Sequence, residues 1–112
     1  MILRIIAVGH LREKYWQDAA ADFARRLRPY VRLVAEEVAE ARIKDNASPA
    51  EERRAMQQEA VAISERLKKH RGPVVVLDRT GRALDSPGLA AWLNEAVLGG
   101  ATEAAFIIGG PL

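Results

Sequence analysis

Apolar and polar positions along the chain switch between two periods, and the switches mark the elements. Leu3 to Val8 is apolar and largely β-branched apart from Arg4, and Gly9 closes the run, which predicts a first strand. From about Glu13 to Arg28 the period lengthens, with Trp16, Ala20, Phe23 and Leu27 at steps of four, three and four. That spacing predicts a helix with these four on its buried face, stopped by Pro29. Tyr30 to Val38 reads as a second strand, although Glu36 and Glu37 interrupt it.

Residues 39–48 are small and polar without a period, and predict a loop. Ser48-Pro49-Ala50-Glu51 is a helix start: a capping hydroxyl, a proline in the first turn and a glutamate three residues on. The helix is expected to run to about His70 with Met56, Ala60, Ile63 and Leu67 inward, before Gly72-Pro73 ends it. Pro73 to Asp78 is apolar without alternation, as expected of a strand buried on both faces. After a turn at Arg79-Thr80-Gly81-Arg82, Ser86-Pro87 opens a third helix with Leu89, Trp92, Leu93, Ala96 and Val97 inward, closed by Gly99-Gly100. Ala104 to Ile108 is a fourth, two-sided apolar strand.

The order β-α-β-α-β-α-β predicts an α/β fold, a mostly parallel sheet with right-handed crossovers and helices on both faces. Residues 1–112 are expected to form a single α/β domain. The last strand is expected to be central yet uncovered, which predicts a marginal or self-associating protein. Ligands in such folds lie beyond the carboxyl ends of the strands. Here those ends are Gly9-His10, Asp78 to Gly81 and Gly109-Gly110-Pro111.

Composition removes several classes of function. With no cysteine, disulfide scaffolds, thiol nucleophiles and thiolate metal sites are excluded, and with two histidines no catalytic metal is expected. Aromatic residues make up 5% of the chain, too few for a platform that stacks single-stranded bases. There is no GxGxxG, no phosphate-binding GxxxxGK[ST] and no serine nucleophile elbow. No apolar run is long enough to span a membrane and no signal peptide is recognisable, so a cytoplasmic location is expected. The formal net charge of +2 permits an RNA partner without arguing for one.

Candidate chemistry therefore concentrates at the strand ends. Gly109-Gly110-Pro111 reads either as backbone that a ligand approaches closely or as a plain strand-ending turn. His10 reads as a capping or surface residue or as a base at the rim, and no catalytic residue is assigned. Asp78 and Asp85 are the acids near the rim, Asp78 being placed to bind a ribose or to end a strand. Arg79 and Arg82 flank Gly81, as phosphate ligands or as solvated turn residues. Two basic groups, Arg25, Arg26, Arg28 and Arg32, and Arg66, Lys68, Lys69, His70 and Arg71, lie at helix ends. There they compensate the dipole or contact RNA phosphates.

The strand Met1 to Gly9, the run Val75-Val76-Leu77-Asp78-Arg79-Thr80-Gly81, the Ser86-Pro87 helix start and Phe106-Ile107-Ile108-Gly109-Gly110-Pro111 together resemble one family. It is the ribosomal RNA large subunit methyltransferase H family, of the SPOUT class of knotted methyltransferases. The resemblance implies the Rossmann-like half of an α/β-knot fold, S-adenosylmethionine as methyl donor, and transfer to N3 of a pseudouridine in 23S ribosomal RNA. It also implies a homodimer acting on the large subunit or assembled ribosome. The matching donor-site positions are Leu77 and Gly110, with Gly109 and Pro111 shaping the turn. Family members continue past the glycine turn, so the expectation is an incomplete SPOUT domain whose knot segment is missing. The competing reading is a catalytically silent α/β fragment or protein-binding module.

Overall fold

Seven elements form, in the expected order, in the computed structural model, which describes residues 1–77 and 81–109: β1 (Ile2–Val8), α1 (Lys14–Leu27), β2 (Arg32–Val38), α2 (Pro49–Arg66), β3 (Val74–Leu77), α3 (Ser86–Leu98) and β4 (Glu103–Ile108). The four strands make one all-parallel sheet in the order β2-β1-β4-β3. The core sits on the two central strands. Ile6 of β1 and Ala104 and Ala105 of β4 are fully buried, and Ile107 nearly so.

Strand alternation sorts side chains onto two faces. Arg4, Ile6, Glu36, Ala105 and Ile107 share the face under α2, where the Arg4 guanidinium donates to the Arg66 carbonyl at 2.8 Å. Phe106 points the other way and meets Trp92 of α3 edge-on, ring centroids 6.1 Å apart. On that second face Ala24 of α1 shares a hollow with Leu33 and Ala35 of β2. Helices therefore cover both faces, α2 on one and α1 with α3 on the other.

Helix starts follow the local chemistry. The Ser48 hydroxyl accepts the Glu51 N–H at 3.2 Å and donates to the Glu51 carboxylate, closing the start of α2. At α3 the cap is Asp85, whose carboxylate accepts the Gly88 N–H at 2.8 Å, so one of the two rim acids is committed to structure. Asp85→Ala is expected to cost about 1 kcal/mol in a urea melt, the usual size of a lost cap. Gly72 is required by close approach, since a Cβ there would stand 2.0 Å from the Glu103 carbonyl oxygen.

Burial departs from expectation at several elements. β3 is an edge strand, not one buried on both faces, with Val74, Val76 and Leu77 exposed. An edge strand has one neighbour, and the helices sit over its partners. The expected cover loss at β4 does not occur, because β1 and β3 flank it and Trp92 packs on it. The uncovered apolar surface is instead on α1, where Trp16 is 57% and Phe23 60% exposed and Ala20 and Leu27 are exposed too. α1 rests on β2, the other edge strand, so only Ala19, Asp22 and Ala24 reach partial cover.

α2 is turned by about one residue from its expected orientation. Ala55 and Glu59 are its buried residues and Met56 and Ala60 are exposed, while Ile63 and Leu67 are half-buried as expected. It ends at Arg66, short of His70, in tightened turns from Leu67 to Ser64 and from Lys68 to Glu65. In α3, Trp92, Leu93 and Ala96 are half-buried, but Leu89 and Val97 are exposed. Among the described residues no helix is long and apolar enough to cross a membrane.

Candidate functional site at the strand ends

Parallel pairing brings Leu77 and Gly109, two of the four expected donor-site residues, to one edge. In β3 and β4, Leu77 lies opposite Ile108, and Gly109 follows directly. One strand over, Ala7 of β1 lies opposite Ile108, so Gly9 and His10 leave the sheet beside the same rim. Chain segments separated by up to a hundred residues thus end at one edge. Asp78, Arg79, Thr80, Gly110 and Pro111 lie outside the described residues.

The rim at β3 and β4 is an apolar ledge beside bare backbone. Leu77 is 53% and Ile108 43% exposed, although both belong to strands. Among the described residues, a Cβ built on Gly109 would meet no atom within 4 Å. Gly9 needs its glycine for another reason: its φ of +85° lies in the left-handed region and turns the chain out of β1. Its N–H donates to the Val38 carbonyl at 2.8 Å, holding the ends of β1 and β2 together.

Beyond that turn lies a cleft of about 630 Å³ between residues 9–12 and 37–43, with His10, Arg12 and Arg42 in its lining. His10 is exposed and Arg82 is exposed, so neither is positioned by burial. A larger hollow of about 970 Å³ opens at the opposite end of the sheet, around Met1, Arg28, Tyr30 and Arg32. It lies at the amino ends of the strands, away from the rim where parallel sheets hold ligands.

The two basic groups resolve differently. Arg25 and Arg26 both pair with Asp22 on α1, and Lys68 pairs with Glu65. His70 is not a solvent-facing member of its group. Its side chain is 2% exposed, with Nδ1 at 3.2 Å from Arg4 Nη1 and 3.3 Å from Glu103 Oε1. Nε2 faces the Pro73 carbonyl oxygen at 3.3 Å, to which it donates. Arg4 also pairs with Glu36 at 2.9 Å. This cluster was not anticipated, yet its signal was present: Arg4 interrupts the first apolar strand, and Glu36 is one of two glutamates that interrupt the second. It lies below the sheet's ligand rim and ties α2 to three strands.

The four-stranded parallel sheet with helices on both faces defines an α/β protein of the Rossmann-like kind. Residues 1–112 match the family described as "predicted SPOUT methyltransferase". The chain is also similar to the ribosomal RNA large subunit methyltransferase H of Symbiobacterium thermophilum, 42% identical over 113 residues that cover 100% of this chain and 70% of that protein. The chain belongs to the ribosomal RNA large subunit methyltransferase H family of SPOUT methyltransferases.

Proposed function

We propose that this chain transfers a methyl group from S-adenosylmethionine to N3 of a pseudouridine in 23S ribosomal RNA, on the large subunit or assembled ribosome. The observation that carries the reading is the 42% identity to a protein named for methylating large-subunit ribosomal RNA, extending over all of this chain. Residues 1–112 act in it as one α/β domain, in the cytoplasm.

The donor site of this reading comprises Leu77, Gly109, Gly110 and Pro111. The ledge of Leu77 and Ile108 fits the apolar faces of an adenosyl group, and the open backbone at Gly109 admits it without a side chain in the way. When bound, the donor would supply an electrophilic methyl carbon on a sulfonium, the N3–methyl bond forming as the sulfur–methyl bond breaks, with S-adenosylhomocysteine released and the N3 proton lost to solvent. The protein's part is to hold that carbon and the pseudouridine nitrogen in line, since positioning accounts for much of such a rate enhancement. No metal takes part in the proposal. The test is label transfer from methyl-tritiated donor to ribosomes lacking this modification, with the product nucleoside identified by mass spectrometry. Label on N3-methylpseudouridine supports the reading, and label on another nucleoside or none refutes it.

A homodimer is part of the same proposal. The apolar stripe of α1, with Trp16 and Phe23 more than half exposed, supports pairing through that helix. Trp16→Ser with Phe23→Ser is expected to shift the sedimenting species from dimer to monomer. An unchanged dimer places the contact elsewhere.

A further inference from the structure

Glu59 is the one charged side chain buried among the described residues, 7% exposed on the inner face of α2. A carboxylate there is costly to bury, and an apolar residue would pack in its place. Its Oε2 accepts the N–H of Ala41 at 2.9 Å, and Ala41 is itself 8% exposed. This contact pins the start of the 39–48 loop, which has no strand or helix of its own to hold it. The residue so presented is Arg42.

Arg42 lines both the cleft of about 630 Å³ at the rim and an adjoining hollow of about 260 Å³ that holds Lys44 and Arg54. Arg12 faces the same cleft from the far side of the Gly9 turn. Among the described residues neither arginine pairs with a carboxylate, whereas Arg4, Arg25 and Arg26 all do. Glu37 and Glu40 also line the cleft. Guanidinium groups bind phosphate oxygens, and carboxylates accept hydrogen bonds from ribose hydroxyls. A cleft offering both suits a ribose–phosphate backbone, which presents phosphates and hydroxyls side by side, better than an isolated phosphate, which leaves the two carboxylates without donors.

We propose that this cleft seats the sugar–phosphate backbone of the substrate RNA. Arg12 and Arg42 each hold a phosphate, and Glu37 and Glu40 accept 2′-hydroxyls. Glu59 is a positioning residue that acts on Arg42 through the Ala41 amide. The assignment rests on the RNA methyltransferase reading and deepens it. The backbone would run past the ends of β1 and β2 and bring a base toward the β4 end, where Gly109 lies.

The test is fluorescence anisotropy with a fluorescein-labelled 23S RNA stem-loop and its DNA counterpart, over a range of KCl concentrations, with donor affinity measured in parallel by calorimetry. Arg12→Gln with Arg42→Gln is expected to weaken RNA binding about tenfold or more and to flatten the log–log salt slope by roughly 1.5, near 0.7–0.9 per phosphate lost. Donor affinity is expected to stay at the wild-type value. Glu59→Gln keeps an oxygen for the Ala41 N–H and retains RNA affinity, while Glu59→Leu loses it with the same flattened slope. RNA is expected to bind more tightly than DNA. An arginine variant with wild-type affinity and slope overturns the cleft assignment and leaves the methyltransferase reading standing. Equal loss in both Glu59 variants overturns the positioning role, and equal RNA and DNA affinity overturns the role of the carboxylates. A wild-type chain that binds donor but no RNA overturns the cleft assignment, and one that binds neither overturns the functional reading as well.

Discussion

Gly109→Val is expected to lower affinity for S-adenosylmethionine by at least about tenfold, a loss of roughly 1.4 kcal/mol, with almost no change in melting temperature. The two effects separate because of where the residue stands. Among the described residues a Cβ at Gly109 meets no atom within 4 Å, so none of them clashes with a side chain there. The same open space is what a ligand on the Leu77–Ile108 ledge would occupy. Calorimetric titration and a thermal melt on the same protein decide it. Intact affinity in the valine variant removes Gly109 from the donor site, and a large drop in melting temperature assigns it a structural role instead.

Arg4→Ala is expected to destabilise the protein by about 3 kcal/mol, the scale for removing one partner of a largely buried ion pair. For a chain of this size that lowers the melting temperature by roughly 10–15 °C. The Arg4 and Glu36 side chains are 14% and 21% exposed, so water screens the pair only in part. Losing the guanidinium leaves two acceptors without their donor, the Glu36 carboxylate and the Arg66 carbonyl. Changing both partners, Arg4→Met with Glu36→Leu, is expected to recover most of the loss, since the stranded carboxylate is the larger cost. A double variant as unstable as Arg4→Ala contradicts that account and places the cost in lost packing of the arginine stem.

The site was legible in part. Glycine turns after apolar strands drew attention to residues 9–10 and 109–111, and the parallel register does gather Leu77, Ile108 and Gly109 at one edge. Asp85 read as a rim acid from its place in the chain, but its carboxylate is spent on the α3 cap. The Arg12–Arg42 cleft was not legible, because its two sides are thirty residues apart and only the β1–β2 pairing brings them together. Glu59 was equally hidden: in a helix with three other glutamates, nothing local distinguishes the one that turns inward.

Element order and type followed from periodicity and punctuation, which are local. Proline and the capping residues act on their own few neighbours, so Ser48 and Pro49 do the same work in the chain as in the fold, whereas Gly72 is needed for a close approach to Glu103 that no neighbour announces. Even the centrality of β4 could be read, since two-sided apolar strands belong inside parallel sheets. β3 has the same apolar character and lies at the edge, because strand order is set by which crossovers the whole sheet accepts. Burial is likewise a property of the assembly. The stripe on α1 has helical spacing whether or not anything covers it, and in this fold the helix sits over an edge strand too narrow to bury Trp16 and Phe23. Strand order and helix placement, not residue type, settle which apolar faces are core and which are left for a partner.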